Sequence, residues 1–206
     1  MWTNYFNRIF LINLPERRDR LEKSETELKK WNIPYQVIPA IKDEDGAKGL
    51  FRTMLDLFNS CMHFDRILVF EDDVKLLCDP SGYMPNVITQ IDSRRWDLLY
   101  LGVNTHKPFP PFVDNNLLSI TEGRSTHAVA YSNRGILKVL KKAQHNRNLP
   151  FDMLLESLIQ PEGNSYCTYP LIATQQADYS DIEKKDVNPV YIYQRYYDNL
   201  KHLGVA

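Results

Sequence analysis

The chain has 206 residues, 43% of them hydrophobic and 12% aromatic, enough for one sizeable core and too apolar for a disordered or fibrous protein. Its 25 basic and 26 acidic residues leave a formal net charge of -1, so no global field draws it to nucleic acid or an anionic membrane, and any phosphate site must be local. Cys61, Cys78 and Cys167 are odd in number and widely spaced, which argues against a disulfide framework or a zinc site, and the apolar run at residues 9–12 is too short for a signal-peptide core or a transmembrane segment; the expectation is a soluble, cytoplasmic protein, or one held to a membrane by something outside this chain, and a candidate for one domain of a longer chain.

Residues 8–13 read as a buried first strand stopped by Leu14-Pro15, and the charged stretch 16–31 as a surface helix. Residues 35–39 form a second short strand, after which Leu50, Met54, Leu57, Phe58 and Cys61 recur at helical spacing behind Gly46 and Gly49. The clearest strand is 66–70, rich in branched and aromatic side chains, and it ends abruptly in Glu71-Asp72-Asp73. Residues 97–101 repeat that pattern and stop at Gly102, and the prolines and asparagines of 104–116 indicate an irregular loop, a lid or an acceptor-binding segment. Further strands are expected at 117–120 and 126–131, a helix at 133–143, and another from Pro150 carrying Leu154, Leu155 and Leu158. Strands alternating with helices indicate an α/β fold with a mainly parallel central sheet flanked by helices, in a single domain over residues 1–206.

Three consecutive acids at the carboxyl end of a buried strand repel one another and need a cation or an arginine beside them. In open α/β sheets ligands sit at that end of the strands, and hard oxygen donors suit Mn²⁺ or Mg²⁺ and the phosphates those ions bridge. The bland alternative is a solvated turn or a helix start, where acids are also at home.

Taken in order, Ile12-Asn-Leu-Pro-Glu-Arg-Arg-Asp-Arg20, Gly46-Ala-Lys-Gly49, Leu68-Val-Phe-Glu-Asp-Asp-Val74, Ser125-Thr-His-Ala128 with Gly135, and Pro150-Phe-Asp152 resemble the signature of family 25 glycosyltransferases, over residues 8–182. The short length also resembles the N-terminal domain of a capsid-glycan glycosyltransferase of large DNA viruses. The resemblance implies a GT-A (Rossmann-like) fold, with a nucleotide-sugar half near residues 1–103 and an acceptor half near 104–206. It implies a nucleotide-sugar donor, a glycan or glycoprotein acceptor, and a D-x-D-type metal site at Asp73 and Glu71, Glu71 standing where the first Asp is more usual. Asp72 or Glu71 would then meet the ribose or a metal-bound water. Two departures stand out: Thr53-Met54 replaces the Ser-His that often follows the glycine helix start, and the acceptor half is short.

Within that frame Asn13 and Leu14 would read the base through their backbone, while Arg17 or Arg20 would pair with the diphosphate, unless these charges are merely solvated on a surface helix. Asp43, Gly46, Lys48, Gly49 and Arg52 form a second cluster, with glycines for close backbone approach and basic side chains for phosphate oxygens. Gly102 ends its strand at the donor-binding edge. His127 lies in an apolar strand, where a satisfied core histidine is the ordinary reading and a metal-adjacent or acceptor-side group the functional one. Asp152 suits a helix first turn through the dipole, yet it is also the acid that the matching motif offers as general base for an inverting transfer. Gln175, Gln176, Asp178 and Ser180 are weaker candidates to close the nucleotide site, and Tyr191, Tyr193, Tyr196 and Tyr197 suggest packing more than sugar stacking. Two rival functions remain: a nucleotidyltransferase or phosphotransferase, against which no Walker or kinase motif speaks in favour, and a non-catalytic carbohydrate-binding domain.

Overall fold

The computed structural model describes residues 2–105, 110–180 and 184–188. A short helix α1 (Trp2–Tyr5) leads into the apolar strand β1 (Arg8–Asn13), and the charged helix α2 (Arg18–Lys30) carries the chain on to β2 (Gln36–Pro39). Helix α3 (Gly46–Cys61) returns the chain to β3 (Arg66–Glu71), followed by β4 (Val74–Leu76), α4 (Met84–Asp92) and β5 (Leu98–Tyr100). The second half carries β6 (Phe112–Asp114), β7 (Leu117–Ser119), β8 (Ala128–Ser132), α5 (Asn133–Ala143), α6 (Phe151–Leu158), β9 (Ser165–Thr168), β10 (Ala173–Gln175), β11 (Asp178–Ser180) and β12 (Lys185–Val187).

Eight strands form one sheet in the order β2-β1-β3-β8-β5-β9-β7-β6. Six of them run in one sense and β7 and β8 run against it, so the sheet is mainly parallel in strand direction, as the alternation of elements suggests, with a reversed strand at its centre. Pairs β4–β10 and β11–β12 form two small antiparallel ribbons beside it.

Side-chain alternation along the strands builds two cores. Phe10, Ile12, Ile67, Val69 and Tyr131 face α3, α5 and α6, while Ile9, Leu11, Leu68 and Phe70 face α1, α2 and α4. The first crossover, through α2, and the second, through α3, therefore cover opposite faces, and the chain reverses its direction of travel across the sheet between β1 and β3. That reversal is a topological switch point, where the diverging loops leave a crevice at the carboxyl ends of the strands.

Every strand and helix expected in the first half is present within a residue or two of its sequence boundaries. The irregular segment 104–116 is corrected in part: residues 112–114 form the edge strand β6, paired with β7 through an irregular register, because Phe112 packs edge-on against Tyr169 with ring centroids 4.8 Å apart. Helix α4 went unread although Met84, Val87, Ile88 and Ile91 recur at helical spacing, while β4 and β9 to β12, of three or four residues each, are too short to show a period. The four C-terminal tyrosines lie outside the described residues. Among the described residues no helix is long and apolar enough to cross a membrane.

At the amino end of β5, Asp97 is fully buried and each carboxylate oxygen meets a cation, Arg134 at 2.6 Å and Lys138 at 2.7 Å. Lys138 also pairs closely with Glu162, which pins α5 and the turn after α6 to the sheet. Removing one partner of such a pair strands the remaining charge. Asp97→Ala is expected to lower unfolding free energy by about 3 kcal/mol in urea titration, while leaving the opposite, carboxyl edge of the sheet unchanged.

Candidate functional site

The switch point holds the acid run. Ile12 of β1 is in register with Glu71, so the residues that follow, Asn13 and Asp72, meet across the crevice. Strand alternation sends Glu71 toward the α3, α5 and α6 face and Asp72 toward α2. Asn13, 3% exposed, donates from Nδ2 to the Arg17 carbonyl at 3.0 Å and to Asp72 Oδ2 at 2.7 Å. From α2, Arg20 Nη2 reaches Asp72 Oδ1 at 2.9 Å and Asp73 Oδ2 at 3.0 Å. Ser24, one turn on, donates to the Asp72 carbonyl at 2.5 Å. The fully buried positions Ser24 and Leu28 thus seat a largely solvated helix against the acids, and Arg20 supplies the positive charge that the run requires.

This compensation is uneven. Burial pushes the Glu71 carboxyl up to about 8, with the Asp73 charge adding to it and a 2.5 Å hydrogen bond from Thr126 Oγ1 opposing it. Burial also raises Asp72 to about 6 against the pull of Arg20. Both shifts have the same cause, burial that disfavours the charged carboxylate, and Arg20 opposes it more strongly at Asp72 than at Glu71. Asp73 differs from both in geometry: Oδ2 accepts from Arg20 and from Gln175 Nε2, the latter at 3.1 Å, while Oδ1 is buried with no hydrogen-bond partner among the described residues.

A strap formed by residues 172–176 closes this site from the sheet's other half. β10 pairs with β4 so that Gln175 is in register with Val74, and Gln176 donates its backbone N–H to the Asp73 carbonyl at 2.6 Å and its amide to the Val74 carbonyl at 2.9 Å. The strap hangs on Leu101, whose carbonyl accepts from Ile172 and Ala173. Gly102 is what allows that approach, since a Cβ there would lie 1.8 Å from the Ala173 carbonyl oxygen. His127, 2% exposed, sits beside the same point with the Ala173 carbonyl near its ring. Neither ring nitrogen makes a hydrogen bond of normal geometry, and burial lowers its pKa while the Asp73 charge opposes the shift.

The remaining candidates fall into two groups. Asp43, Gly46, Lys48, Gly49 and Arg52 stand at the start of α3, along the same sheet edge, because the Ala40 N–H continues the β1 ladder by bonding the Asn13 carbonyl at 2.8 Å. Their side chains pair within the group, Arg52 with Asp43 at 3.2 Å and Lys48 with Asp45 at 3.5 Å. Asp45 caps α3 by accepting from Ala47 and Lys48, and Gly49 is accounted for by packing, a Cβ there reaching 2.5 Å from the Ile41 carbonyl. The Leu14 carbonyl accepts the Arg17 N–H, and the Arg17 guanidinium grips Asp19 at 3.0 Å, so Arg17 serves the loop more directly than Arg20 does. Asp152 opens α6, its Oδ1 bonded to the Met153 N–H at 2.8 Å, on the face toward which Glu71 points; its charge is felt at Tyr100 and Arg124.

Sequence reasoning offered Arg20 as a diphosphate partner, being one of the arginines after β1, and only the helix register places it between two acids; it missed Thr126. Thr126 lay inside a quoted motif with nothing to mark its hydroxyl as the partner of Glu71. Among the described residues no three His, Cys, Asp or Glu side chains gather at metal-ligating spacing. Arg20→Ala is expected to cost about 3–5 kcal/mol of unfolding free energy by chemical denaturation, since it strands two buried acids, whereas Ala at the exposed Arg18 should stay within about 0.5 kcal/mol of wild type.

No family model matches the chain. In sequence it is similar to the probable inactive glycosyltransferase 25 family member 3 of Bos taurus and the inactive glycosyltransferase 25 family member 3 of Homo sapiens, each 25% identical across 77% of this chain and 33% of the relative. It is similar also to procollagen galactosyltransferase 2 of Mus musculus, 24% identical across 93% of this chain and 36% of that protein. The chain thus spans about a third of the length of the curated relatives it matches. Among solved structures its fold is similar to a glycosyltransferase involved in the glycosylation of the major capsid of PBCV-1, with a TM-score of 0.53 and 10% identity over 91% of this chain and 98% of that one. A197 from STIV superposes with a TM-score of 0.51 and 14% identity over 87% and 91% of the two chains. In fold the chain therefore matches a viral glycosyltransferase, and in sequence it is similar to glycosyltransferase family 25.

Proposed function

We propose that this chain is a glycosyltransferase domain of family 25 type that moves a sugar from a nucleoside diphosphate donor, UDP-linked, to a hydroxyl of a glycan or glycoprotein with Mn²⁺ or Mg²⁺ as cofactor. The observation that carries the reading is Asp73 at the switch point: one carboxylate oxygen is held by two donors and the other is buried without a partner. A buried acceptor left open this way fits a cation, and hard oxygen donors suit Mg²⁺ and Mn²⁺. Because fewer than three protein ligands are gathered, Asp73 and Glu71 would hold the ion together with water and the donor diphosphate, the way Mg²⁺ keeps several waters and bridges phosphates. The ion would neutralise the charge that builds on the leaving diphosphate.

The chain's own groups divide the remaining work. Asn13 and Leu14 end β1 where the base would lie, and Arg20 holds Asp72 and Asp73 in place. The start of α3 offers Lys48 and Arg52 to the diphosphate, on condition that they leave Asp45 and Asp43. Asp152 would take the proton of the acceptor hydroxyl as its oxygen bonds the anomeric carbon and the sugar–diphosphate bond breaks, inverting that centre. A second reading, binding without turnover, is favoured by the names of the first two relatives and by Arg20, which already neutralises two of the three acids.

Melting temperatures with UDP-sugars and Mn²⁺ test the site. A ligand at 100 times its Kd adds about 2.7 kcal/mol of stability, and Asp73→Ala is expected to lose this Mn²⁺-dependent gain while folding normally; an undiminished gain would sink the assignment of Asp73. Asp152→Asn separates catalysis from binding. Turnover should fall about 10² to 10⁴-fold with the donor Kd unchanged. If the residue is only a first-turn acid, the same change costs about 1 kcal/mol of stability or less and leaves turnover as it was. Mn²⁺-dependent donor binding with no transfer or hydrolysis by the wild type would favour the second reading.

A further inference from the structure

A carboxylate can only accept hydrogen bonds, and that fact fixes the direction of a chain of side chains running away from Asp73. Gln175 must present Nε2 to Asp73 Oδ2, at 3.1 Å. Its Oε1 then faces Ser125, whose hydroxyl donates to it at 3.3 Å. The Ser125 oxygen, having given its proton, accepts from Asn104 Nδ2 at 2.6 Å. Every donor in the relay from Asn104 to Asp73 points the same way, so each bond polarises the next toward the acid.

The backbone around the relay is held firmly enough to define these positions. Asn104 and Arg124 exchange two backbone hydrogen bonds, at 3.0 and 2.8 Å. Ser125, the next residue, has φ 73, a left-handed conformation that a serine adopts only when its surroundings impose it. Gln175 is fixed by the β4–β10 ladder. The relay thus joins the base of the 104–116 segment, the β7–β8 connection and the strap at one carboxylate.

We infer that Gln175 is a positioning residue that sets the Asp73 carboxylate so that Oδ1 faces the donor site, and that Ser125 and Asn104 set Gln175. This rests on the donor-site reading above. Arg20 by itself would leave the Asp73 carboxylate free to rotate about Oδ2; Gln175, the second donor on that oxygen, removes that freedom. Groups that orient a ligand in this way typically change metal affinity about 10 to 100-fold when removed.

The test uses Gln175→Leu and Ser125→Gly in the full chain, with UDP and Mn²⁺ as the calorimetric probe and a crystal structure of each variant. Gln175→Leu is expected to weaken Mn²⁺-dependent UDP binding about 10 to 100-fold and to rotate the Asp73 carboxylate. Ser125→Gly should weaken it in the same direction while melting at or above the wild-type temperature, because glycine takes φ 73 without strain. A serine with no part in setting Gln175 would leave binding unchanged in that variant. An unmoved Asp73 with wild-type binding in both variants overturns the inference. If the wild type itself binds no UDP with Mn²⁺, the donor-site reading fails, and the relay is then decided by the crystal structures alone: a rotated Asp73 upholds it and an unmoved one overturns it.

Discussion

Arg20 lies between Asp72 and Asp73, 2.9 and 3.0 Å from an oxygen of each, and the switch point is arranged around that position. Without a cation there, three carboxylates on consecutive residues at the end of a buried strand could not all stay in place. With it, the run divides. Glu71 turns to the opposite face and accepts from Thr126, Asp72 is closed off by Asn13 and Arg20, and Asp73 keeps one oxygen open. Helix α2 is consequently more than a crossover. Its few buried side chains sit where they carry Arg20 and Ser24 to the acid turn, and its remaining surface is given to solvent.

The two buried acid clusters of the sheet make a useful contrast. Asp97, at the amino edge, has a cation within ion-pair distance of each oxygen, and its pairing ties α5 to the sheet. Asp73, at the carboxyl edge, has two donors on one oxygen and none on the other.

Gly102 is the steric condition for the site. The strap at residues 172–176 reaches the acid turn only because no side chain stands between residue 102 and the Ala173 carbonyl. Through the strap, the irregular second half of the chain contributes Gln175 and Gln176 to a site whose acids come from the first half.

The sequence by itself determined the α/β class, the strands and helices of the first half, and the location of the acid run at a strand end, because long apolar runs and period-3.6 patterns are local signals that packing seldom overrides. The ordered motifs also indicated the glycosyltransferase resemblance that the relatives bear. Short elements such as β4, β6 and β10 were illegible, being held by pairing partners as distant as Val74 from Gln175 and too brief to carry a period of their own. The partners of the three acids were equally hidden. Which face Glu71 takes, that Arg20 and not Arg17 meets Asp72 and Asp73, and that Gly102 admits a strap and Gly49 a carbonyl are all set by strand register and helix rotation, which bring together residues tens of positions apart. Only the tertiary structure decides those contacts, because they depend on the relative placement of elements, a quantity that no local stretch of sequence contains.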